Sequence, residues 1–284
     1  MSSSNVVDRH ADADRLSRGD FQRLAEFINA YSGIKMPDSK LSMLEGRLRR
    51  RLRATGYATF SDYCDHLFDP AGQESEAVFL INAVTTNKTD FYREPKHFDC
   101  LSGEVLPNLR ERGYNSIRVW SAACSIGAEP YSIAMACAEF AATNGPLAAF
   151  ILATDLSTDV LRAARHGVYP AEMLAPVPDA LRRRFVRYSA RNHSEVRIVP
   201  DLRAMVGFAR LNLMDKSYPV GEPMQIIFCR NVLIYFDKAT QFQVLERLCR
   251  RLEPGGFLFL GHSESVTGFD LPIRAIGNTV FQRT

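Results

Sequence analysis

Hydrophobic residues recur along this chain at two periods, and the change of period divides it. Between Ser17 and Val84 they fall at helical spacing. Phe21, Leu24, Ile28 and Tyr31 share one face of a helix that Ser17 and Asp20 open as a capping box and Gly33 stops. Leu41, Leu44, Leu48 and Leu52 mark a second helix after Pro37, ended by Gly56. Residues 59–69 and 73–84 read as two more, split by the turn Asp69-Pro70-Ala71-Gly72. From Ile117 onward short apolar runs alternate with helical stretches: a strand at 117–121, a helix at 130–142, the strand Phe150 to Asp155 and a helix from Thr158 to Arg165. After a gap come the buried strand Ile226 to Cys229, a helix at 238–252, a strand beginning FLFL and the closing hairpin IRAIGNTVFQRT. This alternation predicts an α/β fold with a doubly wound parallel sheet. Between Tyr169 and Gly207 it breaks into a proline-rich turn, the basic helix-like DALRRRFVRY and the strand-like EVRIVP, too long for a crossover loop, so a small inserted subdomain is expected. The expected domains are a disordered extension at 1–16, a helical domain at 17–84, a loop at 85–97 and the sheet domain at 98–284, with the insertion at about 169–207.

The candidate chemistry gathers where strands of that sheet end. In RVWSAACSIGAEPYSIAMACAEF, Arg118 to Phe140, a strand runs into small residues at alternate positions, Ala123, Ser125 and Gly127, and then into a helix opened by Pro130. Small side chains there let the backbone approach a nucleotide-like ligand and aim its amides at it. The spacing resembles the E-x-G-x-G-x-G turn of S-adenosylmethionine-dependent methyltransferases with two glycines substituted; the glycines of G-x-G-x-x-G and the lysine of a phosphate loop are missing. Taken alone, the turn fits close packing as well as cofactor binding. Asp155 ends the next strand, where it suits either ribose hydroxyls or the cap of the following helix. Arg230-Asn231 lies at the ligand-facing end of a third strand, and the polar Thr85 to Arg93 is either a linker or a lid offering Asn87, Thr89 and Arg93. GHSES lacks the last glycine of a serine-hydrolase elbow, and NVLIY lacks the prolines of a base-methylating N/D-P-P-Y motif.

Composition narrows the class. With 46% hydrophobic and 24% charged residues the chain reads as soluble and globular, and a net charge of +3 is too small to imply nucleic acid. The charge is unevenly spread, because the second helix carries Arg47, Arg49, Arg50, Arg51 and Arg53 with only Glu45 nearby in sequence. Arg47, Arg50 and Arg53 step along one flank, which is either a solvated face or a surface for an acidic partner. Six cysteines without a C-x-x-C and six scattered histidines predict reduced thiols and no metal site. Without a signal-like start or an apolar run of spanning length, a cytoplasmic location without membrane insertion is expected, with a monomer as the default.

Taken in order, NAVTTNKTDFYRE, RVWSAACSIGAEPYSIA, the ATD strand end, LNL, FCRNVLIYFD and GHSES resemble the chemotaxis receptor methyltransferases, the CheR family, across residues 17–282. The resemblance implies a Rossmann-like methyltransferase sheet with a small inserted antiparallel β subdomain and an N-terminal all-helical domain. It implies transfer of a methyl group from S-adenosylmethionine to glutamates of a methyl-accepting chemoreceptor's cytoplasmic domain, with S-adenosylhomocysteine as product and no nucleic acid partner. By matching position, Asn87, Thr89 and Arg93 would reach the cofactor; Glu129 and Asp155 would hold its methionine and ribose parts; and Ala123 and Gly127 would form the turn. Asn212, Leu213, Asn231 and Val232 would frame the adenosine and the approach to the sulfonium. Arg93 and Tyr235 would lie nearest the methyl group as catalytic residues, and Arg47, Arg50 and Arg53 would meet the acidic receptor. Two departures stand out: Ala128 replaces one of two acidic residues, and YSARNHSE, Tyr188 to Glu195, lacks the glycine of members that dock on a receptor tail peptide. The competing readings are methylation of RNA or a small molecule, and a cofactor-sensing adaptor without turnover.

Overall fold

The computed structural model describes residues 15–189 and 194–284, in two compact units that divide between Thr86 and Asn87. The expected extension at 1–16 lies almost wholly outside the described residues, as do four residues inside Tyr188 to Glu195.

The first unit is helical: α1 (Arg18–Ser32), α2 (Leu41–Thr55), α3 (Phe60–Phe68) and α4 (Pro70–Val84). Ser17 Oγ accepts from the Asp20 amide at 3.0 Å, and Gly33 ends α1 at a φ of 73°, as the sequence predicts. Leu24, Ile28, Leu44 and Leu48 are fully buried, so the two leucine-rich stripes are the core of this unit. Helix α4 begins three residues earlier than expected. Asp69 accepts from the Ala71 amide at 3.0 Å, and Pro70 fits the first helical position because its missing N–H needs no partner there.

The second unit begins with helices α5 (Pro95–Cys100) and α6 (Leu106–Glu111), joined without a break by a π-helical turn at Leu101–Val105. Two parallel strands follow, each with its helix: β1 (Ser116–Ala122), helix α7 (Ala128–Asn144), β2 (Ala148–Asp155) and helix α8 (Thr158–His166). The insertion then forms its own antiparallel sheet from β3 (Val168–Pro170), helix α9 (Asp179–Phe185), β4 (Val186–Tyr188) and β5 (Glu195–Ile198), in the order β3-β5-β4. After α10 (Pro200–Ala204), the main sheet resumes with β6 (Val206–Arg210), β7 (Met224–Cys229), α11 (Lys238–Arg251), β8 (Leu252–Leu260), β9 (Ile273–Gly277) and β10 (Val280–Arg283).

The main sheet has the order β6-β2-β1-β7-β8-β10-β9, parallel from β6 to β8 and antiparallel at β10 and β9. Every residue of β7 is buried, as a strand covered on both faces requires. Chain direction across the sheet reverses beside β1: β2 lies on one side and β7 on the other. Ala122 is paired with Thr154 and with Cys229, so Ala123, Asp155 and Arg230 leave the sheet side by side at this switch point. The single tryptophan of the sequence, Trp120, is fully buried on β1 and donates to Thr154 Oγ1 at 2.9 Å. All six cysteines are unpaired thiols, and only Cys100 is partly exposed.

Candidate functional site

Among the described residues, six other than glycine have a left-handed φ, and five of them stand in the loops of this switch-point edge: Tyr92, Glu94, Ala123, Ser125 and Asn231. L-residues avoid this region because Cβ crowds the backbone, so such a concentration marks loops held in shape by their surroundings. In the turn after β1, Ala123 has φ 62°, Ser125 51° and Gly127 91°. The alternate small residues therefore share one backbone conformation, and Ala and Ser adopt it where glycine would do so at lower cost. Gly127 has an additional constraint: a Cβ there would stand 2.8 Å from Ala164 Cβ and 3.0 Å from Tyr169 Oη. Its missing side chain serves close packing against α8, and Tyr169 then donates to the Ile126 carbonyl at 2.7 Å.

Asp155 fixes the turn. One carboxylate oxygen accepts from the Ser125 amide at 2.8 Å and the other from the Ser157 amide at 2.9 Å. Burial raises its pKa and these amides oppose the rise. The Leu156 amide is a third donor to the carboxylate, so of about four lone-pair sites one is left to accept a ribose hydroxyl; capping and ligand binding are compatible here. Ser125 Oγ donates to the Asn87 carbonyl at 2.9 Å and so joins the expected lid to the turn. Thr89 is half-buried in that loop, and Arg93 folds back to donate to the Lys88 carbonyl at 3.1 Å.

Arg230, 2% exposed in its side chain, organises the neighbouring strand end. Its guanidinium lies 2.9 Å from Glu94 Oε2 and 3.1 Å from Glu129 Oε2, and it also donates to the Arg93 carbonyl. Burial pushes the Glu94 carboxyl up, but Arg230, the His262 amide and Asn231 Nδ2 outweigh that and hold it at about 2. Burial dominates at Glu129 and raises its pKa despite Arg230 and despite a 2.7 Å hydrogen bond from Ser121 Oγ. Both oxygens of Glu129, expected to face a methionine moiety, are thus already partnered within the protein.

Glu264 holds the next loop. Its carboxylate accepts from the amides of Gly261 at 2.6 Å, Asn231 at 3.0 Å, Val232 at 2.9 Å and Leu233 at 2.7 Å. GHSES therefore contributes its glutamate, which sets the Asn231-Val232 backbone. Tyr235 is half-buried at the end of the 3-10 turn Leu233–Tyr235. Asn212 and Leu213 follow β6; Asn212 Oδ1 accepts from the Met214 amide at 3.0 Å, while the Leu213 carbonyl accepts from Tyr218 Oη at 2.7 Å and from Arg247 at 2.9 Å.

The structure thus brings Ala123, Gly127, Asp155, Asn231 and Val232 to the loops of one sheet edge, with Asn87 and Arg93 bonded to them. Glu94 and Glu264 are not among the expected site residues, and Arg230 is expected at the ligand-facing strand end without a role. The signals for them were slight: an acidic residue directly after Arg93, a basic one directly before Asn231, and the glutamate of GHSES. Of the arginines expected to meet a partner, Arg50 and Arg53 are exposed. Arg47 departs from that expectation: its guanidinium donates to the carbonyls of Val84 at 2.6 Å, Thr85 at 3.0 Å and Ala83 at 3.4 Å, and so caps α4. Arg49 pairs with Glu45 at 2.6 Å, and Arg51 with buried Glu76 at 2.5 Å.

No helix among the described residues is long and apolar enough to cross a membrane. Comparison with known proteins gives two family matches that together span nearly the whole chain. A model described as "CheR methyltransferase, SAM binding domain" matches residues 87–281, and one described as "CheR methyltransferase, all-alpha domain" matches residues 19–85. Chemotaxis protein methyltransferase 2 of Pseudomonas aeruginosa is 39% identical over 266 residues, 93% of each chain. The chemotaxis protein methyltransferase of Escherichia coli is 40% identical over 267 residues, 94% of this chain and 91% of that one. That of Borreliella burgdorferi is 36% identical over 258 residues, 89% of this chain and 90% of that one.

Proposed function

Since the chain belongs to the CheR methyltransferase family, we propose that it methylates glutamate side chains of chemoreceptor cytoplasmic domains in the cytoplasm, forming glutamyl methyl esters. The observation that carries this reading is Asp155. A buried carboxylate at the switch point, anchored by backbone amides of Ser125, Leu156 and Ser157 with a lone pair still to offer, fits a ribose hydroxyl of S-adenosylmethionine. Ala123 and Gly127 would admit the cofactor to the backbone of the turn, and Asn212, Leu213, Asn231 and Val232 would border its adenosine. Asn87 and Thr89 would cover it. Glu129, kept in place by Arg230 and Ser121, would contribute negative potential beside the methionine and sulfonium end.

When bound, the cofactor supplies a methyl group already activated by a positively charged sulfur. The chain's own residues then have only to position and exclude. The accepting glutamate has a reference pKa of about 4.3 and arrives ionised at neutral pH, so no general base is required. Arg93 would orient that carboxylate and Tyr235 would wall the path of the methyl group, both contributing through proximity and preorganised charge. Arg50 and Arg53 would offer the acidic receptor its docking charge, whereas Arg47 serves the helical unit.

The test is incubation with methyl-labelled cofactor and receptor-containing membranes. Label should enter receptor protein and be released by mild alkali; alkali-stable label, or label in RNA, refutes the reading. Arg93→Ala should lower transfer by about 100-fold or more, the scale of a lost positioning contact, while far-ultraviolet circular dichroism stays unchanged.

A further inference from the structure

Three ligand-type side chains outside the cofactor's expected contacts converge beside the Arg230 cluster. We propose that Glu94, His97 and His262 form a binding site for a divalent cation of the zinc class. Their ligand atoms, one from each residue, lie within 4.8 Å of one another.

His97 carries the argument. Its side chain is 2% exposed, with Nε2 lying 3.0 Å from Thr279 Oγ1 and 3.3 Å from the Asn278 carbonyl. With the ring hydrogen on Nε2, toward the Asn278 carbonyl, Nδ1 keeps its lone pair. That Nδ1 is buried and has no hydrogen-bond partner, yet it faces Glu94 Oε2 at 3.3 Å. In that tautomer two electron-rich atoms stand close with no hydrogen between them, and a cation bound by both removes the repulsion.

Geometry and chemistry agree on which cation. Zinc bonds histidine nitrogen and carboxylate oxygen at about 2.0–2.2 Å, which sets ligand atoms of a tetrahedron about 3.3 Å apart. Glu94 and His97 already have that spacing. His262 Nε2 lies 4.0 Å from the same Glu94 oxygen, on a ring 41% exposed in the loop after β8 and packed edge-on to His97 at 5.1 Å between centroids. The two-histidine, one-carboxylate set leaves a fourth position open to solvent. The orienting partners are those of a metal-ligating histidine and carboxylate: His97 donates its other ring hydrogen to the Asn278 carbonyl, and Glu94 keeps Arg230 at 2.9 Å and Asn231 at 3.3 Å. Charge favours a cation at Glu94, whose carboxylate is held ionised. The histidine pattern of the sequence could not disclose this site, since the chain separates His97 from His262 by 165 positions.

The experiment is titration of the full, untagged, metal-stripped protein with Co2+, followed by visible absorption, and then displacement with Zn2+. The expected result is one bound Co2+ with the intense d–d bands of four-coordinate geometry, bleached by Zn2+. In His262→Ala, affinity should fall by at least about tenfold, a loss no smaller than that from removing an outer-shell partner. His166→Ala should leave affinity unchanged. Failure to bind Co2+, or equal binding by the wild type and His262→Ala, overturns the proposal. Neither outcome bears on methyl transfer, so failure here is separable from failure of the functional reading.

Discussion

Arg47 shows how a single side chain can look like one device and act as another. Its place on the exposed flank with Arg50 and Arg53 is visible in the sequence; the three carbonyls at the end of α4 that it caps are 36 to 38 positions away and are not. The same limit hid the partner of Arg51, since Glu76 is 25 positions distant. Arg47→Ala should destabilise the protein by about 1–3 kcal/mol, because hydrogen bonds from a charged donor to carbonyls at the end of α4 are lost. Denaturant unfolding measures it. Arg50→Ala with Arg53→Ala should leave the unfolding midpoint unmoved and slow receptor methylation, with the difference from wild type shrinking as salt is raised. An unchanged rate at low salt would remove these two residues from docking.

Among the elements, the clear apolar periods were legible, and a helical period with glycine and proline set inside it was not. The stripes of α1 and α2 and the runs of β1, β2 and β7 are read correctly because each repeats without a slip. Residues 95–111 carry no element in the sequence reading. Their buried positions, Phe98, Leu101, Val105, Leu106 and Leu109, do keep helical spacing, but Gly103 and Pro107 inside the stretch argue against a helix, and the structure accommodates them with a π turn at Leu101–Val105. In the loops the alternate small residues were legible as a motif, but their shared left-handed backbone and the packing duty of Gly127 were not. Gly127→Ala should cost about 1–3 kcal/mol through overpacking against Ala164, in addition to its φ of 91°. The loops after β7 and β8 depend on Glu264 in a similar way. Glu264→Gln places an amide NH2 among four backbone donors that need acceptors, and a loss of about 2–3 kcal/mol in calorimetry or denaturant unfolding is expected.

At the scale of the whole molecule, the order of strands does what no local motif could. It places residues from positions 94, 129, 155, 230 and 264 around one edge, and every long-range pair among them was closed to a reading of spacing alone. The family resemblance supplied the cofactor residues by position; the structure adds the supports that hold them. If Asp155 receives the ribose, Asp155→Ala should weaken S-adenosylmethionine binding by about 10- to 100-fold in calorimetry, equivalent to about 1.4–2.8 kcal/mol, the scale of hydrogen bonds to a charged acceptor. Unchanged affinity with an intact fold would detach Asp155 from the cofactor.

Trp120 has a practical consequence of another kind. The sole indole of the chain is sealed on the central strand, three residues before Ala123, and its N–H is tied to Thr154, the neighbour of Asp155. Emission from this protein under indole-selective excitation therefore comes from one fixed point just behind the switch-point edge. The fold has placed its own optical gauge beside the turn, so events there can be followed in time without attaching a dye or changing a residue.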